Sequence, residues 1–220
     1  MQQRYNVFQV IILTLIILAL NYCLLWSFHH FAIKPYPNNE IYILGLTYLI
    51  IILVTGLNIN NNSINVIHKT VGFHTVQLQA VFVAIILSIG IWLSDYLYQT
   101  FILESDLAKE ATKWFINNPN QTITFMTMVI FAPIIEEVLL RGVLLQSLQR
   151  HMNTILATLT VSLLFTLLHD SYEQWATLFI ASTIYCWLTL RYKSILPSII
   201  AHILNNAFTF VYYRQIETFS

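Results

Sequence analysis

Long apolar runs separated by short polar joints make up this chain. Hydrophobic stretches cover residues 7–28, 41–57, 76–97, 122–148, 154–168, 175–190 and 195–213, each weighed against the roughly 20 residues with which a helix crosses a bilayer. They predict an all-α fold, a polytopic transmembrane helical bundle of about seven to eight spans, with the fifth and sixth stretches short. Arg4 precedes the first stretch as in a signal peptide, but the run is too long and no small-residue cleavage site follows, so it reads as a retained anchor helix.

The joints are polar and brief. Residues 34–40 carry two prolines, 58–65 are rich in asparagine, and 104–120 form a charged stretch with Glu104, Asp106, Lys109, Glu110 and Lys113. This last joint predicts an amphipathic helix stopped by Asn118 and Pro119; Trp114 and Phe115 would anchor it at the interface, though a solvated helix between spans is the plainer reading. No internal repeat appears, so the inverted-repeat architecture of many transporters has no support.

Composition agrees with the pattern. Of 220 residues, 57% are hydrophobic and 9% charged, against about 45–50% and about 25% in soluble domains. The net charge is zero, and neither a basic block nor a glycine-rich phosphate loop is present, which argues against nucleic acid and nucleotide partners. Cys23 and Cys186 both lie in apolar runs, as small buried hydrophobes do. With the N-terminus inside, Arg4, Lys69, Arg150, Arg191 and Lys193 fall on the cytoplasmic side, a slight excess that follows the positive-inside rule.

Against this background the ionisable residues within the spans stand out. Glu136, Glu137 and Arg141 lie in one stretch, His169 ends another, and His202 and Asn206 share the last. A charge near the bilayer centre costs at least about 2.5–3.5 kcal/mol, so such residues mark a site or a paired network. Glu137 and Arg141, four apart, share a helix face and predict an ion pair; Glu136, about 100° around, points elsewhere and is a candidate general base. Phe165 is placed to pack on His169, and His202 and Asn206 form one polar stripe on a helix that begins beside Pro197.

Two chemistries fit this set. Glu136, His169 and His202 are donors that suit a divalent metal such as zinc. Alternatively, no metal is required: Glu136 with His169 deprotonates a water, and His202 with Asn206 stabilises the oxyanion formed on a peptide carbonyl. The HExxH motif of the common zinc proteases is absent. Both readings end in water attacking an amide.

The three patterns resemble those of the CPBP family, which comprises type II CAAX prenyl endopeptidases and the Abi bacteriocin-processing and immunity proteins. Its motifs EExxxR, FxxxH and HxxxN stand here as Glu136-Glu137-Val138-Leu139-Leu140-Arg141, Phe165-Thr166-Leu167-Leu168-His169 and His202-Ile203-Leu204-Asn205-Asn206. They occur in order on successive apolar segments between Phe131 and Phe208, with Ala132-Pro133 before the first and Gly142 after it. Departures are Leu140, where an aromatic is frequent, and a stretch 175–190 without glycine.

The resemblance implies an intramembrane endopeptidase. Glu136 would activate water with help from His169, His202 and Asn206 would serve as oxyanion donors or metal ligands, and Glu137, Arg141 and Phe165 would support them. Residues 121–214 would be the catalytic core and 1–120 a variable N-terminal transmembrane region. The expected partners are a membrane peptide or protein substrate and the lipid bilayer, in a bacterial plasma membrane, with bacteriocin or leader-peptide processing or self-immunity as the role. A non-catalytic membrane immunity or scaffold protein is the principal alternative. An ion-coupled carrier is a further one, set back by the missing repeats and matched helix breaks.

Overall fold

The computed structural model describes residues 72–102, 120–169 and 172–219, with side chains to 215; the stretches 7–28 and 41–57 and nearly all of the 104–120 joint lie outside them. Among the described residues every regular element is a helix. Five long helices follow in order: α1 (Leu78–Phe101), α2 (Gln121–Leu148), α3 (Thr154–Leu167), α4 (Trp175–Tyr192) and α5 (Leu196–Phe219). A single 3₁₀ turn, Tyr172–Gln174, leads into α4. By length and apolarity α1 and α2 are candidate membrane spans, while the total of seven to eight rests partly on residues outside those described.

Local chemistry sets the helix starts. Asn120 caps α2 by accepting from the Ile123 amide at 3.2 Å, and Asn153 caps α3 through Leu156 at 2.8 Å, each satisfying a donor that the first turn leaves unpaired. Helix α4 ends at Lys193, whose φ of 51° is left-handed, a conformation usually reserved for glycine at this position. The chain then turns through Ser194, whose hydroxyl accepts from the Leu196 amide at the start of α5.

Helix α2 is irregular, with π-type turns over Met126–Phe131 and Val138–Leu145 around an α-helical segment Ala132–Glu137. Pro133 explains part of this. The Ala132 amide donates to the Thr127 carbonyl five residues back, so in that register the next carbonyl, of Met128, should receive the amide that Pro133 lacks. The Asn206 side chain replaces it, with Nδ2 donating to the Met128 oxygen at 2.9 Å. Inserted π turns of this kind often occur at functional sites.

Helix α4 is the centre of the bundle, in contact with all four others, and α5 lies against α1, α2 and α4. Small residues permit the close approach: Ala80, Ala84 and Ser88 of α1, four apart, are fully buried, as is Ala201 of α5, the packing device of membrane helices. A second core joins Leu140, Leu144, Leu145 and Leu148 of α2 to Ala157, Val161 and Phe165 of α3 and Cys186 of α4. Outward, α1 exposes Leu78, Phe82, Ile86, Ile89, Leu93, Leu97 and Phe101, a surface suited to acyl chains rather than water.

Candidate active site

Glu137, Arg141 and His202 meet in the interior where α2, α4 and α5 converge. Glu137 and Arg141 are both completely buried, and Arg141 Nη1 donates to Glu137 Oε1 at 3.0 Å, the ion pair that their spacing predicts. Arg141 Nη2 donates to the hydroxyl of Ser182 at 2.6 Å and to its carbonyl at 3.1 Å. The guanidinium also lies 5.1 Å from the Phe165 ring centre and 5.4 Å from that of Tyr185. One cation therefore ties three helices by hydrogen bonds and cation–π contact.

His202 is held by two aromatic rings and at one nitrogen. Tyr185 stacks on it with centroids 4.9 Å apart and an interplanar angle of 22°, and Phe165 meets it edge-on at 5.6 Å. Its Nδ1 lies 3.0 Å from Glu137 Oε1; since a carboxylate only accepts, the proton of this bond is on Nδ1. That leaves Nε2 directed at Glu136, whose Oε2 is 3.9 Å away. This gap exceeds a direct hydrogen bond and matches one water placed about 2.8 Å from each atom.

Glu136 and Glu137, adjacent in sequence, are thus separated in environment. The Glu136 side chain keeps 24% of its surface accessible while that of Glu137 keeps none. The helix rotation between neighbours sends one carboxylate into the polar knot and the other to its open edge.

His169, two residues past the end of α3, is half-buried. Its Nδ1 donates to the Phe165 carbonyl at 2.8 Å and its ring packs on Phe165 at 4.6 Å, the contact that the four-residue spacing predicts. With the proton on Nδ1, the Nε2 lone pair is the atom offered to chemistry. Phe165 stands against both imidazoles and the guanidinium, so His169 joins the cluster through that ring. Trp175 fixes the far side of the turn by donating Nε1–H to the His169 carbonyl at 3.1 Å.

Asn206 has one amide hydrogen committed to the Met128 carbonyl, which leaves the second available beside His202 on the α5 stripe. As for a metal, among the described residues no three His, Cys, Asp or Glu side chains converge as a cation-binding group. Glu136 and His202 supply two donors, but His169 is held across Phe165, so the set does not form the three-ligand arrangement of a catalytic zinc.

Ser182, Tyr185 and the Met128 carbonyl were not singled out by sequence reasoning. Serine and threonine on an apolar helix signal interhelical hydrogen bonding in membranes, and that signal was present in α4 without naming its partner. Asp95, on α1, is another acid on an apolar helix, outside the three motifs. It accepts from Thr177 Oγ1 at 2.6 Å and so ties α1 to α4.

Buried acids, imidazoles and an arginine are thus assembled on helices whose outer surface is apolar. Residues 118–208 match the family described as Type II CAAX prenyl endopeptidase Rce1-like. The match is consistent with a protease of the CPBP family, which the three motifs resemble. No curated protein and no solved structure matches the chain.

Proposed function

We propose that the chain is an intramembrane endopeptidase in which Glu136 activates the attacking water without a metal, and that residues 121–214 form its catalytic core. The observation that carries this reading is the 3.9 Å separation of Glu136 Oε2 and His202 Nε2, a span that seats one water between a carboxylate base and an imidazole. Glu136 takes a proton as the water oxygen bonds to the scissile carbonyl carbon. His169, with its Nε2 lone pair presented, assists that transfer.

The oxyanion is met by His202 and the second Asn206 amide hydrogen. Because Nδ1–H of His202 is held by Glu137, Nε2 donates to the oxyanion only where His202 enters and leaves the cycle as the imidazolium, whose charge Glu137 and the oxyanion itself balance once Glu136 is protonated. Collapse of the tetrahedral intermediate returns the proton from Glu136 to the departing amine. The substrate is a membrane-associated peptide or protein in a bacterial plasma membrane, with peptide or bacteriocin processing or self-immunity as the role, a reading supported by the motif resemblance alone.

The test is mass spectrometry of membrane peptides from cells expressing wild type or Glu136→Gln at equal level. Products present with wild type and lost in the variant are expected. Identical products from both, with any protective phenotype retained, would replace the peptidase by a non-catalytic immunity or scaffold protein.

A further inference from the structure

A second polar site lies at the end of the bundle where α1 and α5 begin and α4 ends. A cavity of about 390 Å³ is lined by Gly72, His74, Gln146, Gln149, Arg150, Thr189, Leu190, Lys193 and Ser194. Three of these residues carry a cationic or imidazole group, and among the described residues no carboxylate lines it. It is distinct from the peptidase site, since Gln146 lies nine residues beyond Glu137 on α2, roughly 14 Å along a helix.

The walls are built rather than incidental. The Gly72 carbonyl accepts from the Ile195 amide at 3.0 Å, and Ser194 Oγ donates to the His74 carbonyl at 2.9 Å, which pins the segment before α1 across the turn between α4 and α5. Gly72 itself has φ +84°, and a Cβ there would meet Gln146 Nε2 at 3.0 Å. Lys193 is the one described non-glycine residue with positive φ. A strained lysine where glycine would serve, on the rim of a cationic cavity, is an outlier that points to a use for its ammonium.

Location names the ligand chemistry. Among the described residues this end carries His74, Arg150, His151, Arg191 and Lys193 and no acid, whereas Asp95 and Glu173 lie toward the other. By the positive-inside rule it faces the cytoplasm, where basic pockets between membrane helices take anionic headgroups. We propose that this cavity binds a phosphate ester anion, held by Arg150 and Lys193 with an amide donor from Gln149.

The experiment uses the purified full-length chain in phosphatidylcholine nanodiscs, with and without phosphatidylglycerol, and in detergent with inorganic phosphate; native mass spectrometry and thermal melting are the readouts. Phosphatidylglycerol should bind and raise the melting temperature, and Arg150→Gln with Lys193→Gln should weaken binding about thirtyfold, at the usual contribution of two surface cations to anionic-lipid attraction. Lys193→Gly should raise the unliganded melting temperature yet lower affinity, while Arg150→Lys retains most of it. Saturable stabilisation by inorganic phosphate, removed by the double variant and not reproduced by lipid, would assign the same site to a soluble phosphate ester. Equal phosphatidylglycerol and phosphate responses in wild type and the double variant, or stabilisation by phosphatidylcholine alone, would overturn the proposal.

Discussion

Arg141→Ala is the most informative perturbation of this fold, because the guanidinium is fully buried and joins Glu137, Ser182, Phe165 and Tyr185. Its loss strands the Glu137 carboxylate, and breaking a buried pair by removing one partner costs about 3–5 kcal/mol. The Ser182 bonds add less, since interhelical hydrogen bonds in membranes average about 0.6 kcal/mol and reach about 1.7. The ion pair therefore dominates, and Ser182→Ala should cost no more than that smaller amount. A double-mutant cycle measures the difference: Arg141→Ala, Glu137→Ala and the double variant, each unfolded reversibly by denaturing detergent. A coupling of about 2–3 kcal/mol is expected, the upper range for residues in direct contact. Additive effects within about 0.5 kcal/mol, or wild-type stability in Arg141→Ala, would refute the central role given to this pair.

Other outcomes follow from the same geometry. The Tyr185 hydroxyl is buried and finds no hydrogen-bond partner among the described residues, so Tyr185→Phe should be neutral or stabilising by up to about 1 kcal/mol, whereas Tyr185→Ala should reduce cleavage by removing the ring stacked on His202; both are read by melting temperature and product yield. Pro133→Ala restores the amide that Met128 lacks, so Asn206→Ala should destabilise the Pro133→Ala background by about 1 kcal/mol less than wild type, measured by the same unfolding assay. Cleavage by purified protein should survive extensive chelation, and recovery only on added zinc would assign the activation of water to a metal.

The α-helical class, the boundaries of most described helices and the Glu137–Arg141 and Phe165–His169 contacts were legible in the sequence, because apolar run length and four-residue spacing are local properties of a helix. Several ends shifted modestly: the stretches at 122–148 and 154–168 correspond to helices Gln121–Leu148 and Thr154–Leu167, while the last apolar stretch continues as α5 to Phe219. The π turns of α2 are not legible in the sequence, since nothing in a hydrophobic run fixes hydrogen-bond register.

The sequence by itself determined which ionisable groups lie in apolar stretches and which of them share a helix face. Tertiary structure alone decided that His202 stands between the two glutamates, that Arg141 reaches across to Ser182, and that Asn206 fills the place left by the missing proline amide. The physical reason is distance along the chain. Spacing of four residues is dictated by the helix, but meetings such as Glu137 with His202, 65 residues apart, depend on how helices pack, and small residues at their crossings set that packing without announcing the partner.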